Sequence, residues 1–337
     1  MRLNGAGMPL FRAGSKRRGA GAGRGGLVAV PRALLSLFVL ASALLAACGR
    51  EAVTGRTSEG GTSRGAGDSA RQEYGGPTFS TWEKEGKAVN PAFTYPAPAE
   101  SPRADFIPWT GTVSHHFLTD PLIDAWFKEI RKRREVRHFF ILSPSHFGLS
   151  TRDYSVADGR WECAAGNFVY TNRELSSRLC AALGVDYDRQ VFYDEHGVST
   201  LIPYIRRYFP AADVIAVAIQ GEPPVNMDYC RKLYKAVAPF FDAEGKQENF
   251  LIVSSDFSHH GTPEQTAFKD GISRTFFDHP TRENFIAAVC DNRPSVYVMS
   301  SLFGADVKAF VLFHTNSFTI SGMDKDDITS YFFSLFE

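Results

Sequence analysis

The chain reads as an α/β protein: a single three-layer domain with a mostly parallel or mixed central sheet flanked by helices. Three features predict this. Short, almost wholly apolar runs such as Phe139-Phe140-Ile141-Leu142 suit strands buried on both faces. Helical patterns of ten residues or more separate those runs, the alternation expected of parallel strands joined by crossover helices. After residue 100 no further break in composition divides the chain, and no internal repeat is visible.

Taken in order, the first helix is predicted over 121–133. Pro121 suits a first helical turn, and Leu122, Ile123, Trp126, Phe127 and Ile130 fall on one face. A buried strand follows over 137–143. Helices are expected over 173–183 and 198–208, a strand over 214–219, a helix over 227–241 and a strand over 250–255. Helices over 263–277, 282–289 and 297–303 precede strands over 308–313 and 330–335. Phe139, Phe140, Phe250, Phe310 and Phe313 belong to the core by their place in these runs. The charge run 131–134 complements the dipole at a helix end and reads as solvated surface.

Ahead of this domain the composition changes twice. Residues 1–50 hold eight basic residues and no acidic one, although the whole chain is formally neutral. Within them, the apolar stretch 33–45 is 13 residues long, well short of the roughly 20 needed to span a bilayer. A basic segment, a short apolar run and then Leu45-Ala46-Ala47-Cys48 together resemble a lipoprotein signal peptide over 1–47, with Cys48 as the lipidated residue. Cleavage before Cys48 removes seven basic residues and leaves 30 against 37 acidic ones, a formal charge of −7 that argues against nucleic acid as a partner. Residues 48–99 are rich in Gly, Ser, Thr and Pro and read as a flexible tether, so the domain is expected over 100–337. The implied location is the cell envelope, lipid-anchored on the periplasmic side, with the outer membrane favoured by Gly49 rather than Asp after the cysteine.

Cys163, Cys180, Cys230 and Cys290 form an even set in a compartment that permits disulfides, with three connectivities open and buried free thiols as the alternative. No CxxC spacing points to a zinc site.

Candidate chemistry lies in four histidine-bearing segments at strand ends or loop openings, where α/β sheets gather ligands. They are Ser114-His115-His116; Ser143-Pro144-Ser145-His146; Asp194-Glu195-His196; and Ser254-Ser255-Asp256-Phe257-Ser258-His259-His260. Imidazole and carboxylate together suit iron, copper or zinc. Adjacent histidines on a strand point to opposite faces, so one of His115 and His116 is expected to face such a site. Ser145 and Ser255 lie near histidines, but no GxSxG elbow supports a serine nucleophile.

These four segments, with Leu201-Ile202-Pro203-Tyr204 and a weaker match at His314-Thr315-Asn316-Ser317 and Ser330-Tyr331, resemble the Memo family, whose bacterial members are called AmmeMemoRadiSam system protein B. The resemblance covers about residues 104–337. It implies a fold similar to class III extradiol dioxygenases, enzymes that use non-haem Fe(II) to open catechol rings. It further implies a metal ion, iron or copper with zinc as a third candidate, held by His115 and His146. The third ligand position, a cysteine in animal members and a carboxylate in the dioxygenases, falls on Ser258, a poor ligand, which leaves Asp256, Glu195 or His259 to complete the set. His196, His259 and Asp256 are then the candidate catalytic groups lining the same pocket. Three functions follow as expectations: a membrane-tethered metal protein of redox, iron or copper chemistry; an extradiol-type dioxygenase; or a non-enzymatic module that binds a small molecule or peptide.

Overall fold

The computed structural model describes residues 75–81, 89–98, 102–146, 148–164, 166–220 and 225–337. Cys48, the lipobox and the predicted signal peptide lie outside the described residues.

An eight-stranded mixed sheet forms the centre. Its strands are β2 (Thr110–Val113), β3 (His138–Pro144), β4 (Tyr154–Val156), β7 (Asp213–Ile219), β8 (Asn249–Ser254), β9 (Phe257–Gly261), β10 (Ala309–Asn316) and β11 (Ile328–Phe336). The order is β10-β11-β2-β8-β3-β7-β4, with β9 pairing against β11. β2, β8, β3 and β7 run parallel to one another, whereas β11 pairs antiparallel with β2, β9 and β10, and β4 pairs antiparallel with β7. A second, three-stranded sheet joins β1 (Thr78–Ser80), β5 (Arg160–Ala164) and β6 (Asn167–Tyr170).

The three layers follow from alternation along the strands. Phe139, Ile141, Val214, Ala216, Phe250 and Ile252 point to one face. There they meet Trp126 and Phe127 of α1 (Asp120–Arg133) and Tyr204 and Ile205 of a short helix α4 (Ile202–Tyr208). Phe140, Leu142, Ile215, Val217, Leu251 and Val253 point the other way, onto α2 (Arg173–Leu183), α5 (Met227–Val237), α6 (Pro263–Asp278) and α7 (Arg293–Ser301). Both faces of β3, β7 and β8 are therefore covered, which explains their unbroken apolar sequences.

Several elements depart from the sequence reading. The helix expected over 198–208 is two pieces, α3 (His196–Ser199) and α4, and the region 282–289 makes only a 3-10 turn over Glu283–Ala287. The helix expected over 297–303 starts earlier, at Arg293, because Pro294 occupies its first turn. β2 carries Thr-Gly-Thr-Val, too polar to read as a buried strand. Its threonines are buried nonetheless, because their hydroxyls donate to Leu251 O and Phe332 O.

The folded region also begins before residue 100. Phe79 in β1 is fully buried against Trp161, Phe192 and Tyr193. The Asn90 amide bonds Ile320 O, and the Tyr95 hydroxyl bonds Leu118 O. Isolated aromatic residues thus anchor part of a segment whose composition reads as tether.

The basic run at the end of α1 is solvated surface only in its first half: Arg131 and Lys132 are exposed, whereas Arg133 and Arg134 are partly buried. Arg133 donates to the carbonyls of Pro102, Arg103 and Phe106, and Arg134 to those of Pro108, Lys246 and Gln247. Burial lowers the Arg134 guanidinium to about 10. Cys163, Cys180, Cys230 and Cys290 are all free thiols, so no disulfide links them.

Candidate metal centre

Parallel strands that lie side by side deliver their following residues to one edge of the sheet. β2, β8 and β3 are consecutive neighbours, and His115, Asp256 and His146 each lie two residues past the end of one of them. His196 arrives from the start of α3, which packs on β3. As a result the ring centroids of His115 and His146 lie 4.8 Å apart, those of His146 and His196 4.1 Å, and those of His115 and His196 5.2 Å. One ligand nitrogen from each of the three lies within 4.8 Å of the others, a group that could hold a metal ion.

Two of these imidazoles have defined tautomers. Ser254 Oγ donates to Gly197 O, so it can only accept from His115 Nδ1, 3.0 Å away. Glu195 Oε1 accepts from His146 Nδ1 at 2.6 Å. Both rings therefore carry their proton on Nδ1 and turn the Nε2 lone pair into the pocket, the arrangement metal-ligating histidines require. Burial works against the charge of Glu195, but hydrogen bonds from the His146 ring, the His146 amide and the Gly197 amide prevail and hold its carboxyl below the usual range. Burial likewise opposes protonation of His146, yet the bond to Glu195 and the charges of Asp291 and Asp256 raise its pKa overall. His115 is 2% exposed, and burial followed by repulsion from the neighbouring imidazoles holds it neutral, far below its ordinary pKa.

His115, not His116, faces this pocket. His116 turns its Nδ1 to the Tyr331 hydroxyl across β11.

A carboxylate completes the arrangement, and it is Asp291, which the sequence reading missed. Asp291 Oδ2 lies 3.5 Å from His115 Nε2, 4.0 Å from His146 Nε2 and 3.6 Å from His259 Nε2. Its other oxygen accepts from the Ser255 hydroxyl and the Asp256 amide, which aims Oδ2 inward. Asn292 fixes the loop by donating to Leu142 O and Ser254 O, at the ends of β3 and β8. Burial, reinforced by Asp256 alongside, pushes the Asp291 carboxyl well above the usual range. The only signal in the sequence is Asp291-Asn292-Arg293-Pro294, the opening of a proline-started helix.

The other expected residues divide. Asp256 is buried with Oδ2 3.8 Å from His115 Nε2, and His259 lies at the pocket mouth with its proton affinity lowered by burial. Ser258 does not join them. Its backbone adopts φ +46°, and its hydroxyl donates to Asp270, which also accepts from Ser330 and His314 in a separate buried network. A serine committed to a carboxylate outside the pocket is not a ligand here, and the third position read onto Ser258 is corrected to the vicinity of Asp291. Ser255 bonds Asp291 rather than a histidine, which leaves no serine nucleophile geometry at that residue.

The donor set fits a metal ion on physical grounds. Asp291 Oδ2 is buried and has no hydrogen-bond donor, although three imidazole nitrogens surround it. A buried carboxylate oxygen in that state costs several kcal/mol unless a proton or cation compensates it. Imidazole with carboxylate is the mixture that suits first-row transition metals.

Comparison with known proteins identifies the family. The profile of the Memo-like protein family matches residues 93–323. A MEMO1 family protein of Caldivirga maquilingensis is 24% identical over 156 residues, covering 46% of this chain and 54% of that protein. Another, from Pyrobaculum aerophilum, is 27% identical over 136 residues, covering 40% and 47% respectively. A third, from Saccharolobus islandicus, is 22% identical over 201 residues, covering 57% and 69%. The chain thus spans about half the length of the first two relatives and somewhat more of the third. With a family match over most of its folded part, the chain belongs to the Memo family.

Proposed function

We propose that this Memo-family protein holds one first-row transition metal ion, iron or copper with zinc as a third candidate, and is anchored in the cell envelope by lipid on Cys48. The observation that carries the metal assignment is the inward Asp291 oxygen ringed by three imidazole Nε2 atoms without a hydrogen-bond donor. His115 and His146 are the ligands common to any arrangement, with His196 on one side and Asp291 on the other. Such an ion supplies Lewis acidity and, if iron or copper, access to redox chemistry. The chain's own residues orient the ligands through Ser254 and Glu195, exclude water by burial, and offer His259 as a neutral base at the mouth. Asp256 alongside adds negative charge that favours a cation.

Glu195 is the positioning residue easiest to test. Replacement by Gln keeps its size, but the amide cannot accept from both the His146 ring and the His146 backbone. Glu195→Gln is expected to weaken metal binding by about 10- to 100-fold, read by competition with a chromophoric chelator. An unchanged affinity would remove Glu195 from the account.

A second reading, an extradiol-type dioxygenase, is favoured by the coexistence of two histidines and one carboxylate with a base at an open mouth. Anaerobic Fe(II) loading followed by oxygen and a panel of catechols distinguishes it. A yellow ring-opened product supports the enzyme, and no product leaves a non-oxygenase metal protein or a ligand-binding module.

The anchor rests on the sequence around Cys48; among the described residues no helix is long and apolar enough to cross a membrane. Cys48→Ser is expected to abolish incorporation of radiolabelled fatty acid and to release the protein from the membrane fraction. Label retained on that variant would refute lipidation at this site.

A further inference from the structure

Beside the metal centre lies a cavity of about 260 Å³ whose wall includes His259, His260, Lys269, Cys290, Asp291 and Arg293. It shares His259 and Asp291 with the centre. Lys269 and Arg293 make part of its lining cationic. Lys269 Nζ donates to His259 O at 2.8 Å, and Arg293 Nε donates to Ala288 O at 2.9 Å. Those bonds fix both side chains in place while leaving two N–H groups of the ammonium and the terminal amino groups of the guanidinium for other partners. Both residues are partly buried, and among the described residues neither forms an ion pair with a carboxylate. This contrasts with other cations of the fold, such as Arg137, Arg189 and Arg207, which each meet an acid. His260 on the same wall is engaged by Asp327.

From this we propose that the cavity is the subsite for a small anionic ligand, a carboxylate or phosphate, whose charged group rests on Arg293 and Lys269 while its other end reaches His259 and Asp291. Two fixed, unpaired cations beside a confined space are the arrangement that recognises a compact oxyanion, with the guanidinium suited to bidentate contact. The volume admits a molecule of the size of benzoate rather than a polymer. The inference rests on the metal reading for what lies at the far end of the ligand, but not for the anion contact itself.

The test is isothermal titration of the full chain, in detergent, with benzoate, inorganic phosphate and the neutral benzamide, alongside elemental analysis of every sample. Binding of at least one anion, no detectable binding of benzamide, and at least a tenfold loss of anion affinity in Arg293→Gln and in Lys269→Gln are expected. Which anion binds assigns the charged group as carboxylate or phosphate. Both variants leave His115, His146 and His196 untouched, so their metal content should equal that of the parent chain. Failure of both anions to bind, equal binding of benzamide, or anion affinity unmoved by both substitutions overturns the subsite whether or not metal is present. Metal missing from the parent chain, with anion binding intact, sinks only the metal reading.

Discussion

His115→Ala and His146→Ala are each expected to lower metal affinity by at least about a hundredfold, since even the residues that merely orient such ligands contribute 10- to 100-fold. The two side chains are the common members of both ligand groupings, one with His196 and one with Asp291. Each is held by a separate partner, Ser254 for His115 and Glu195 for His146, so loss of one ring leaves the other in place. His116→Ala is the matched control. That ring lies one residue away but bonds Tyr331, and its removal should leave metal content unchanged. Elemental analysis of untagged protein, with affinities from chelator competition, reads all three. Equal metal in the two pocket variants and the parent would remove the proposed centre.

The largest expected loss of stability comes from Trp126→Ala. The indole is fully buried, packs edge-on against Phe127 and Phe250 at 5.0 and 5.7 Å, and donates to Ser334 O at 2.9 Å. Truncating a buried tryptophan costs about 3–5 kcal/mol through lost transfer energy and the cavity left behind. That should lower the thermal midpoint of metal-free protein by roughly 10 °C for a domain of this size. The indole lies over Gly111 of β2, where an added Cβ would come within 2.2 Å of Ser334 O and 2.9 Å of the indole Cζ2. The glycine therefore permits β2 to sit beneath the ring, close to β11, and β2 carries the chain into His115. A midpoint shift of less than a few degrees in Trp126→Ala would contradict this packing account.

How far the fold and the centre were legible depended on where each residue's constraint lies. β3, β7 and β8 announced themselves because burial on both faces demands continuous apolar sequence. β2 and β9 did not, since Thr110, Thr112 and Ser258 are satisfied by partners distant in the chain. Phe79 could not be told from a tether residue without Trp161 across the second sheet. The same holds for the centre. His115 and His146 stand at the ends of strands, a position the sequence reveals, and their convergence follows once β8 lies between β2 and β3. Asp291 enters from a loop that follows a 3-10 turn, marked locally only by the proline that opens the next helix. Its placement depends on Asn292 tying that loop to Leu142 O and Ser254 O, a tertiary constraint. Ser258 was the opposite case: the motif put it near the pocket, but its hydroxyl donates to Asp270.

The most direct measurement is anomalous X-ray diffraction at the absorption edges of iron, copper and zinc, on crystals of untagged protein. The account predicts one peak between the Nε2 atoms of His115 and His146, on the side where Asp291 Oδ2 points. No anomalous peak in crystals grown with added metal, or a peak only at surface residues, would contradict it.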